Sequence, residues 1–179
     1  MSEVRTLKSL VDTLSERGTR PAMLALHREG VERWSYGELV DHARRLACGL
    51  ERADVDRGDH VALFAGNRVE WILACLGLIG AGAVVVPLDA QIGDEMLGHA
   101  LADSGARLVF TTTEGADRLG RLDLETEPEP ILLDVGGTTN EGGVCWRTGM
   151  RIYPLSPDRK IGRPSSTPPA PPGRPRGYR

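Results

Sequence analysis

Histidine, cysteine and aspartate side chains are among the groups in this 179-residue chain that could perform catalysis or bind a metal. The four histidines form no i, i+4 pair and stand beside no obvious nucleophile; they are His27, His42, His60 and His99. We therefore predict structural or surface roles for them. Asp54, Asp56 and Asp59 lie close together but lack the spaced oxygen ligands of a calcium-binding loop, so we predict that they are solvated.

Cysteine spacing argues against a metal site or a disulfide framework. Cys48, Cys75 and Cys145 are far apart, none belongs to a C-x-x-C motif, and none has a histidine at ligand spacing. Reduced thiols are typical of the cytoplasm. The N-terminal segment, MSEVRTLKSL, contains no apolar signal-peptide region. The sequence thus predicts a cytoplasmic protein.

Two glycine-containing segments have the composition of phosphate-binding loops but not the context. Residues 80–82 (GAG) close a predicted helix and open a strand, whereas a dinucleotide fingerprint follows a strand and opens a helix. Residues 136–139 (GGTT) are followed by neither a lysine nor a helix. We interpret the first segment as tight helix-to-strand packing and the second as a surface turn.

Charge and proline are distributed unevenly along the chain. Residues 1–146 contain 14 Lys or Arg and 24 Asp or Glu, whereas residues 147–179 contain 8 basic residues and a single acidic one, Asp158. This basic, Pro-rich tail cannot bury enough apolar surface to fold, and we predict that it is disordered. Only two lysines accompany twenty arginines, which indicates a GC-rich gene. A wrong reading frame of such DNA is also rich in Pro, Arg, Ala and Gly.

Hydrophobic periodicity and turn signals predict alternating helices and strands. Helices are predicted at residues 7–14, 36–50, 67–79, 94–103 and 116–122. The first has Thr6 as its N-cap and ends at Gly18. The second begins with a capping box of Ser35 and Glu38, and the third has Asn67 as its N-cap. Strands are predicted at residues 22–27 and 32–35 as a hairpin, and at 60–65, 83–88, 107–112 and 131–135. Because the later strands are apolar runs that alternate with helices, we predict an α/β fold with a mostly parallel sheet flanked by helices.

Residues 71–88 form an uncharged run of 18 residues, which is long enough to raise the question of a membrane span. Gly77, Gly80, Gly82 and Pro87 interrupt the run, and its second half is β-branched. The run therefore favours a buried helix followed by a buried strand.

Six segments stand in an order and spacing that is specific to one family. They are residues 34–39 (WSYGEL), 46–50 (LACGL), 57–62 (RGDHVA), 67–71 (NRVEW), 80–88 (GAGAVVVPL) and 101–110 (LADSGARLVF). Together they resemble the N-terminal region of the adenylate-forming superfamily, the acyl-CoA synthetases and AMP-binding ligases. The resemblance covers most of residues 5–135.

The resemblance implies an enzyme that activates a carboxylic acid, such as a fatty acid, with ATP and then passes the acyl-adenylate to a thiol such as coenzyme A. ATP, magnesium and coenzyme A are the implied cofactors of the full-length enzyme, and the segments matched here are implied to be scaffold. Residues 1–135 would form the N-terminal part of the AMP-binding domain, and residues 136–179 an irregular tail.

The tail is compatible with an out-of-frame phosphate loop. The family's loop reads approximately YTSGTTGPPKG and is expected soon after the strand at residues 131–135. When each codon is re-read from the third base of one residue and the first two bases of the next, the eleven residues 167–177 (TPPAPPGRPRG) are compatible with that whole motif. We therefore hypothesise a one-base deletion, or an equivalent shift, between Val135 and Ser165.

As translated, the tail has no lysine in a glycine loop, and its prolines lack the N–H donors that a phosphate nest requires. We expect no catalytic, cofactor-binding or metal-binding residues in this fragment, no adenylation activity, no nucleic acid partner and poor solubility. Two alternatives stay open. One is a short non-catalytic protein with a Pro/Arg-rich partner-binding tail, and the other is a small nucleotide-binding domain without ligase chemistry.

Overall fold

The computed structural model of the protein describes residues 6–28, 30–124 and 127–134. The expectations for residues 136–139 and for the tail fall outside these residues. Helix α1 (Leu7–Leu14) begins at Thr6, whose side-chain oxygen accepts a hydrogen bond from the Ser9 backbone N–H at 3.1 Å. A 3₁₀ turn (Ser15–Arg17) then ends at Gly18, whose φ of +54° suits glycine. The predicted N-cap and stop are confirmed.

A capping box starts the longest helix, α2 (Tyr36–Arg52). The Glu38 N–H donates to Ser35 Oγ at 3.3 Å, and the Ser35 N–H donates to Glu38 Oε2 at 2.8 Å. This reciprocal pair satisfies two backbone donors that the first helical turn leaves without partners. The predicted capping box is confirmed. The helix buries one stripe at helical spacing, formed by Leu39, Val40, Ala43, Leu46 and Leu50.

Strands and helices alternate after α2. The elements are β3 (His60–Phe64), α3 (Val69–Ala81), β4 (Val84–Leu88), α4 (Asp94–Ser104), β5 (Leu108–Thr111), α5 (Thr113–Leu119) and β6 (Glu129–Leu132). They follow an antiparallel hairpin of β1 (Pro21–His27) and β2 (Gly30–Ser35). Strands β3 to β6 pair in parallel in the order β4-β3-β5-β6. The predicted α/β fold with a parallel sheet is confirmed.

Helices cover both faces of the four-stranded sheet. Successive side chains of a strand point to opposite faces, so these apolar strands present apolar side chains on both sides. On one face, Val61 and Leu63 of β3 pack with Leu46 and Leu78 of helices α2 and α3. The opposite face carries Ala62, Phe64 and Val109, which pack with Leu97 and Leu101 of α4 and Leu119 of α5. The hairpin packs separately, through Ala25 and Trp34, against Leu39 and Leu73.

Two helix starts differ from the prediction. Arg68, not Asn67, is the N-cap of α3, because Arg68 itself has an extended backbone, and no side chain caps this helix. Helix α5 begins at Thr113 rather than near residue 116, because the Thr112 side chain accepts a hydrogen bond from the Gly115 N–H at 3.2 Å.

The apolar run at residues 71–88 divides into α3 and β4, as predicted. Strand β4 is at the edge of the sheet, however, and Val84 is 43% exposed, so the strand is not fully buried. Gly82 ends α3 with a φ of +82° in the left-handed region, which confirms the interpretation of residues 80–82 as a helix-to-strand connection. Within the residues that the structure describes, no helix has the length and apolar character needed to cross a membrane.

Candidate functional site

The strand order creates a topological switch point between β3 and β5. From the carboxyl end of β3 the chain continues through α3 to β4 on one side, and from the carboxyl end of β5 it continues through α5 to β6 on the other side. The two connections therefore diverge at the carboxyl ends of β3 and β5. Crevices of this kind are where open α/β sheets bind ligands. This edge is consequently the first place to look for a functional site.

A cavity of about 420 Å³ lies at this switch point. Its walls come from the ends of three strands and the segments that follow them: Phe64 at the end of β3 and Ala65, Gly66, Asn67 and Arg68 after it, Ala90 after β4, and Thr112, Glu114, Gly115 and Arg118 after β5. We call it the switch-point cavity. None of these lining residues was predicted as a site residue from the sequence. The sequence feature that could have identified them is their position at or directly after the ends of predicted strands.

The β3 wall consists of the turn at residues 65–68 and the first turn of α3. Arg68 Nε donates to Glu70 Oε2 at 2.9 Å, and both side chains are about three-quarters buried. The Arg68 charge is therefore balanced inside the wall rather than unpaired.

The β5 wall depends on a close contact between Gly115 and Thr111. A Cβ atom added to Gly115 would lie 2.0 Å from Thr111 Oγ1, so only glycine allows α5 to start this near to β5. Thr111 is fully buried, and its hydroxyl has no hydrogen-bond partner in the structure. The start of α5 is fixed from the other side by Asp134, whose carboxylate accepts from the Thr113 N–H at 2.9 Å and from Thr113 Oγ1 at 3.0 Å.

The charged residues that line the switch-point cavity are Arg68, Glu114 and Arg118. The lining residues include no serine, cysteine or histidine that could form a nucleophile-base pair. Over the described residues, no group of three or more His, Cys, Asp or Glu side chains is arranged to hold a metal ion. The cavity is thus large enough to enclose part of a ligand.

The four histidines lie outside this cavity. His27 Nε2 lies 3.1 Å from Glu32 Oε2, His42 Nδ1 lies 2.9 Å from the Glu38 carbonyl oxygen, and His60 Nδ1 lies 2.6 Å from the Ser104 carbonyl oxygen. His42 also stands edge-on to Trp34, with ring centroids 5.0 Å apart. His99 lines a separate open groove beside α4, together with Asp94, Glu95 and Asp123.

The aspartates after α2 differ from the prediction in one respect. Asp59 Oδ2 accepts a hydrogen bond from Arg107 Nη2 at 2.5 Å, in an ion pair whose side chains are only 23% and 30% exposed. The same carboxylate accepts from the Asp56 N–H at 3.0 Å, and Arg107 Nη2 also donates to the Asp54 carbonyl oxygen at 3.3 Å. Asp59 is thus a structural partner of Arg107 rather than a solvated side chain. Arg107 directly precedes β5, and the start of that strand lies beside the turn that contains Asp59.

The two cysteines in the described residues are free thiols in different surroundings. Cys48 is exposed on α2, whereas Cys75 is partly buried on α3, and burial raises the pKa of the Cys75 thiol. Cys145 lies outside the described residues.

Comparison with known proteins gives one family. A family model described as "AMP-binding enzyme" matches residues 12–162. The chain is 40% identical over 95 residues to a feruloyl-CoA synthase from Amycolatopsis sp. The matched residues make up 53% of this chain and 19% of that protein. An acyl-CoA ligase from Ajellomyces capsulatus is 31% identical over 99 residues, which covers 55% of this chain and 16% of that ligase.

The fold of this chain also resembles that of a solved structure. The crystal structure of an acyl-CoA synthetase from Brucella canis superposes with a TM-score of 0.65 at 23% identity, covering 79% of this chain and 26% of that one. The chain thus spans only 19% and 16% of the length of these two curated relatives, and 26% of this structural neighbour.

Proposed function

Because this chain belongs to the AMP-binding enzyme family, we propose that the intact protein is an adenylate-forming ligase. In this proposal the enzyme activates a carboxylic acid, such as a fatty acid, with ATP, releases pyrophosphate and transfers the acyl group to a thiol such as that of coenzyme A. The family match over residues 12–162 is the observation that carries it. The names of two relatives, a feruloyl-CoA synthase and an acyl-CoA ligase, support the thioester product.

Within such an enzyme, this chain would supply the N-terminal part of the AMP-binding domain, over residues 1–135. Its surface supports that role. On the outer face of the hairpin, Leu26 is 82% exposed opposite Val31, and Leu24 is exposed beside them. Apolar surfaces of this kind are normally covered in a complete protein. We therefore expect later parts of the intact enzyme to cover this face, and we expect the isolated chain to be poorly soluble.

The described residues do not fit the magnesium-ATP part of the reaction. They contain no metal-binding group of side chains, and the two arginines of the switch-point cavity are paired with Glu70 and Asp94. We therefore assign no reaction step to residues 6–134. We propose that the groups that bind ATP, magnesium and the acyl chain lie in segments beyond them.

We further propose that a shift of reading frame removes the phosphate loop from this chain and leaves it without adenylation activity. One observation supports this, which is that residues 167–177 are compatible with the loop in the neighbouring frame. We also propose a cytoplasmic location for the intact enzyme, which agrees with the free thiols of Cys48 and Cys75.

Sequencing the gene from the codon for Gly136 through several hundred bases beyond Arg179, in all three frames, tests the frame shift. We expect the neighbouring frame to encode the phosphate loop and to continue as a long open frame. A confirmed frame that stops after Arg179, with no related coding sequence downstream, would refute the shift and favour the partner-binding tail. Loss of partner capture on deletion of residues 151–179 would then support that alternative.

An activity assay tests the ligase itself. The 179-residue chain and a version with the frame restored through the downstream sequence would each be mixed with ATP, magnesium and a panel of carboxylic acids. We expect pyrophosphate release from the restored protein and none from the 179-residue chain. Release by the short chain would overturn the inactivity proposal. If the restored protein binds ATP but releases no pyrophosphate with any acid, the ligase proposal fails.

A further inference from the structure

The walls of the switch-point cavity are connected by one side chain. Arg118, in the last turn of α5, contacts both the loop after β4 (residues 89–93) and the end of β3. We infer that Arg118 is a positioning residue that fixes the shape of the switch-point cavity. This role concerns the walls of the cavity, so it does not depend on which reaction the intact enzyme catalyses.

Three N–H groups of the Arg118 guanidinium reach the segment between β4 and α4. Nε donates to Asp94 Oδ1 at 2.6 Å, Nη1 donates to the Ala90 carbonyl oxygen at 3.2 Å, and Nη2 donates to the Ile92 carbonyl oxygen. The acceptors thus span the whole loop from its second residue to the first residue of α4. A planar guanidinium can serve several acceptors from one rigid fork, and hydrogen bonds from a charged donor are stronger than neutral ones.

The same guanidinium also contacts the β3 wall. Its Cζ atom lies 5.5 Å from the centroid of the Phe64 ring, within the range of a cation-π contact. The Arg118 side chain is 21% exposed, so these contacts are shielded from much of the solvent. Arg118 therefore joins all three walls: the end of β3, the loop after β4 and helix α5.

The loop after β4 has few other polar anchors. Within it, the Ile92 N–H donates to the Asp89 carbonyl oxygen at 3.0 Å, and the Gln91 N–H donates to Asp89 Oδ1 at 2.8 Å. Both bonds are local and do not attach the loop to another element. Ile92 adds an apolar anchor, since it packs beside the α4 and α5 core. Without Arg118, the polar attachment of this loop to the cavity would be lost.

Lysine should not replace Arg118. An ammonium group has three donors on a flexible stem, and it lacks the planar fork that reaches Asp94, Ala90 and Ile92 together. Arg121 offers a matched control, because it lies three residues later and is exposed. An Arg121→Lys substitution makes the same chemical change without touching the cavity.

Hydrogen-deuterium exchange on the purified 179-residue chain tests the inference. We expect Arg118→Lys to raise the exchange rate of residues 89–97 about tenfold, as expected for losing one charge-assisted hydrogen bond, while the central strands β3 and β5 keep wild-type protection. Arg121→Lys should leave every segment unchanged. Equal exchange of residues 89–97 in wild type and Arg118→Lys, or the same increase in Arg121→Lys, would overturn the assignment.

A second variant covers the case in which Arg118→Lys unfolds the whole chain. Asp94→Asn keeps the size of the acceptor but removes its charge, and Asp94 is 64% exposed, so this change should not unfold the protein. We expect a smaller rise in exchange, about threefold and confined to residues 89–97. If Asp94→Asn has no effect on these residues and Arg118→Lys unfolds all segments together, the side chain has a general stabilising role and the inference is wrong.

Discussion

Gly77 of α3 lies against Leu46 of α2 so closely that a Cβ atom on Gly77 would be 2.4 Å from Leu46 Cδ2 and 2.7 Å from Leu46 Cβ. The second distance is the important one, because Cβ cannot move away by a change of rotamer. Leu46 itself is fully buried and packs on the sheet. The contact of these two residues therefore sets the separation of the two helices that cover one face of the sheet.

Substitution of Gly77 by alanine should destabilise the chain although alanine is the better helix former. Helix propensity favours alanine by about 1 kcal/mol, whereas overpacking a tight core contact costs about 1–3 kcal/mol. We expect the overpacking cost to dominate, because the helices must separate to admit the methyl group. Urea unfolding of wild type and Gly77→Ala measures the difference in the free energy of unfolding.

Gly49 provides the control for this substitution. It also lies within a helix, α2, but a Cβ atom there would meet nothing within 4 Å. Gly49→Ala should therefore stabilise the chain by about 0.5–1 kcal/mol. If both substitutions stabilise the protein, the helix separation described above is not tightly constrained.

Acid should weaken the start of α2. The backbone hydrogen bond from Ser35, followed by the bond from its hydroxyl, holds the pKa of Glu38 below its usual range. A carboxylate with a lowered folded pKa stabilises the fold above the unfolded value of about 4.3 and loses that contribution as the pH falls through the folded pKa. We expect exchange protection of the first turn of α2 to fall below about pH 4.

Glu38→Gln separates this titration from general acid effects. Glutamine retains a side-chain acceptor for the Ser35 N–H but has no proton to gain. The pH dependence of the first turn of α2 should therefore largely disappear in this variant. An unchanged acid response in Glu38→Gln would show that another group is responsible.

The two thiols in the described residues should differ in reactivity. Cys48 is exposed, whereas Cys75 is partly buried with a raised pKa, so less of Cys75 is present as the reactive thiolate. In a Cys145→Ser background at pH 8, we expect iodoacetamide to modify Cys48 first, as followed by mass spectrometry of peptides. The difference should vanish in urea, where both thiols are solvated. Faster modification of Cys75 in the folded chain would contradict the packing of α3.

The ion pair of Asp59 and Arg107 should contribute more to stability than an exposed pair. Its side chains are mostly buried, and the carboxylate also accepts the Asp56 N–H. A double-mutant cycle with Asp59→Asn and Arg107→Met should give a coupling of about 1 kcal/mol.

A second pair supplies the comparison for that cycle. Lys8 and Asp12 are 3.5 Å apart with side chains 61% and 56% exposed, and their coupling should be at most a few tenths of a kcal/mol. Equal coupling in the two pairs would show that burial does not distinguish them.

Local signals in the sequence were sufficient for most elements of the fold. Thr6, Ser35 and Glu38 cap the helices that they were predicted to cap. This prediction succeeds because a helix cap depends only on residues three positions apart in the sequence. The continuous apolar strands also indicated a sheet covered on both faces. The start of α5 was missed because Thr112 is one of three consecutive threonines, and only the observed bond to Gly115 identifies it as the cap.

The switch-point cavity could not be located from the sequence because its walls come from three separate loops. Strand order decides which loops meet, and the sequence does not state that β5 pairs with β3 rather than with β4. The long-range partners Asp59 with Arg107 and Asp94 with Arg118 depend on the same order. The sequence therefore predicted that these charged residues are polar surface or loop residues, but it could not predict their ion-pair partners.

The central position of β3 also governs how the chain can fold during synthesis. Val61 pairs with Val85 on one side and with Leu108 on the other, so one edge of β3 stays unpaired until β5 leaves the ribosome. Until then the nascent chain holds a strand with an open edge and an apolar face, which is a recognised substrate for chaperones. A translational pause before Leu108 would lengthen that exposure, whereas a pause after β6 would allow the sheet to close first.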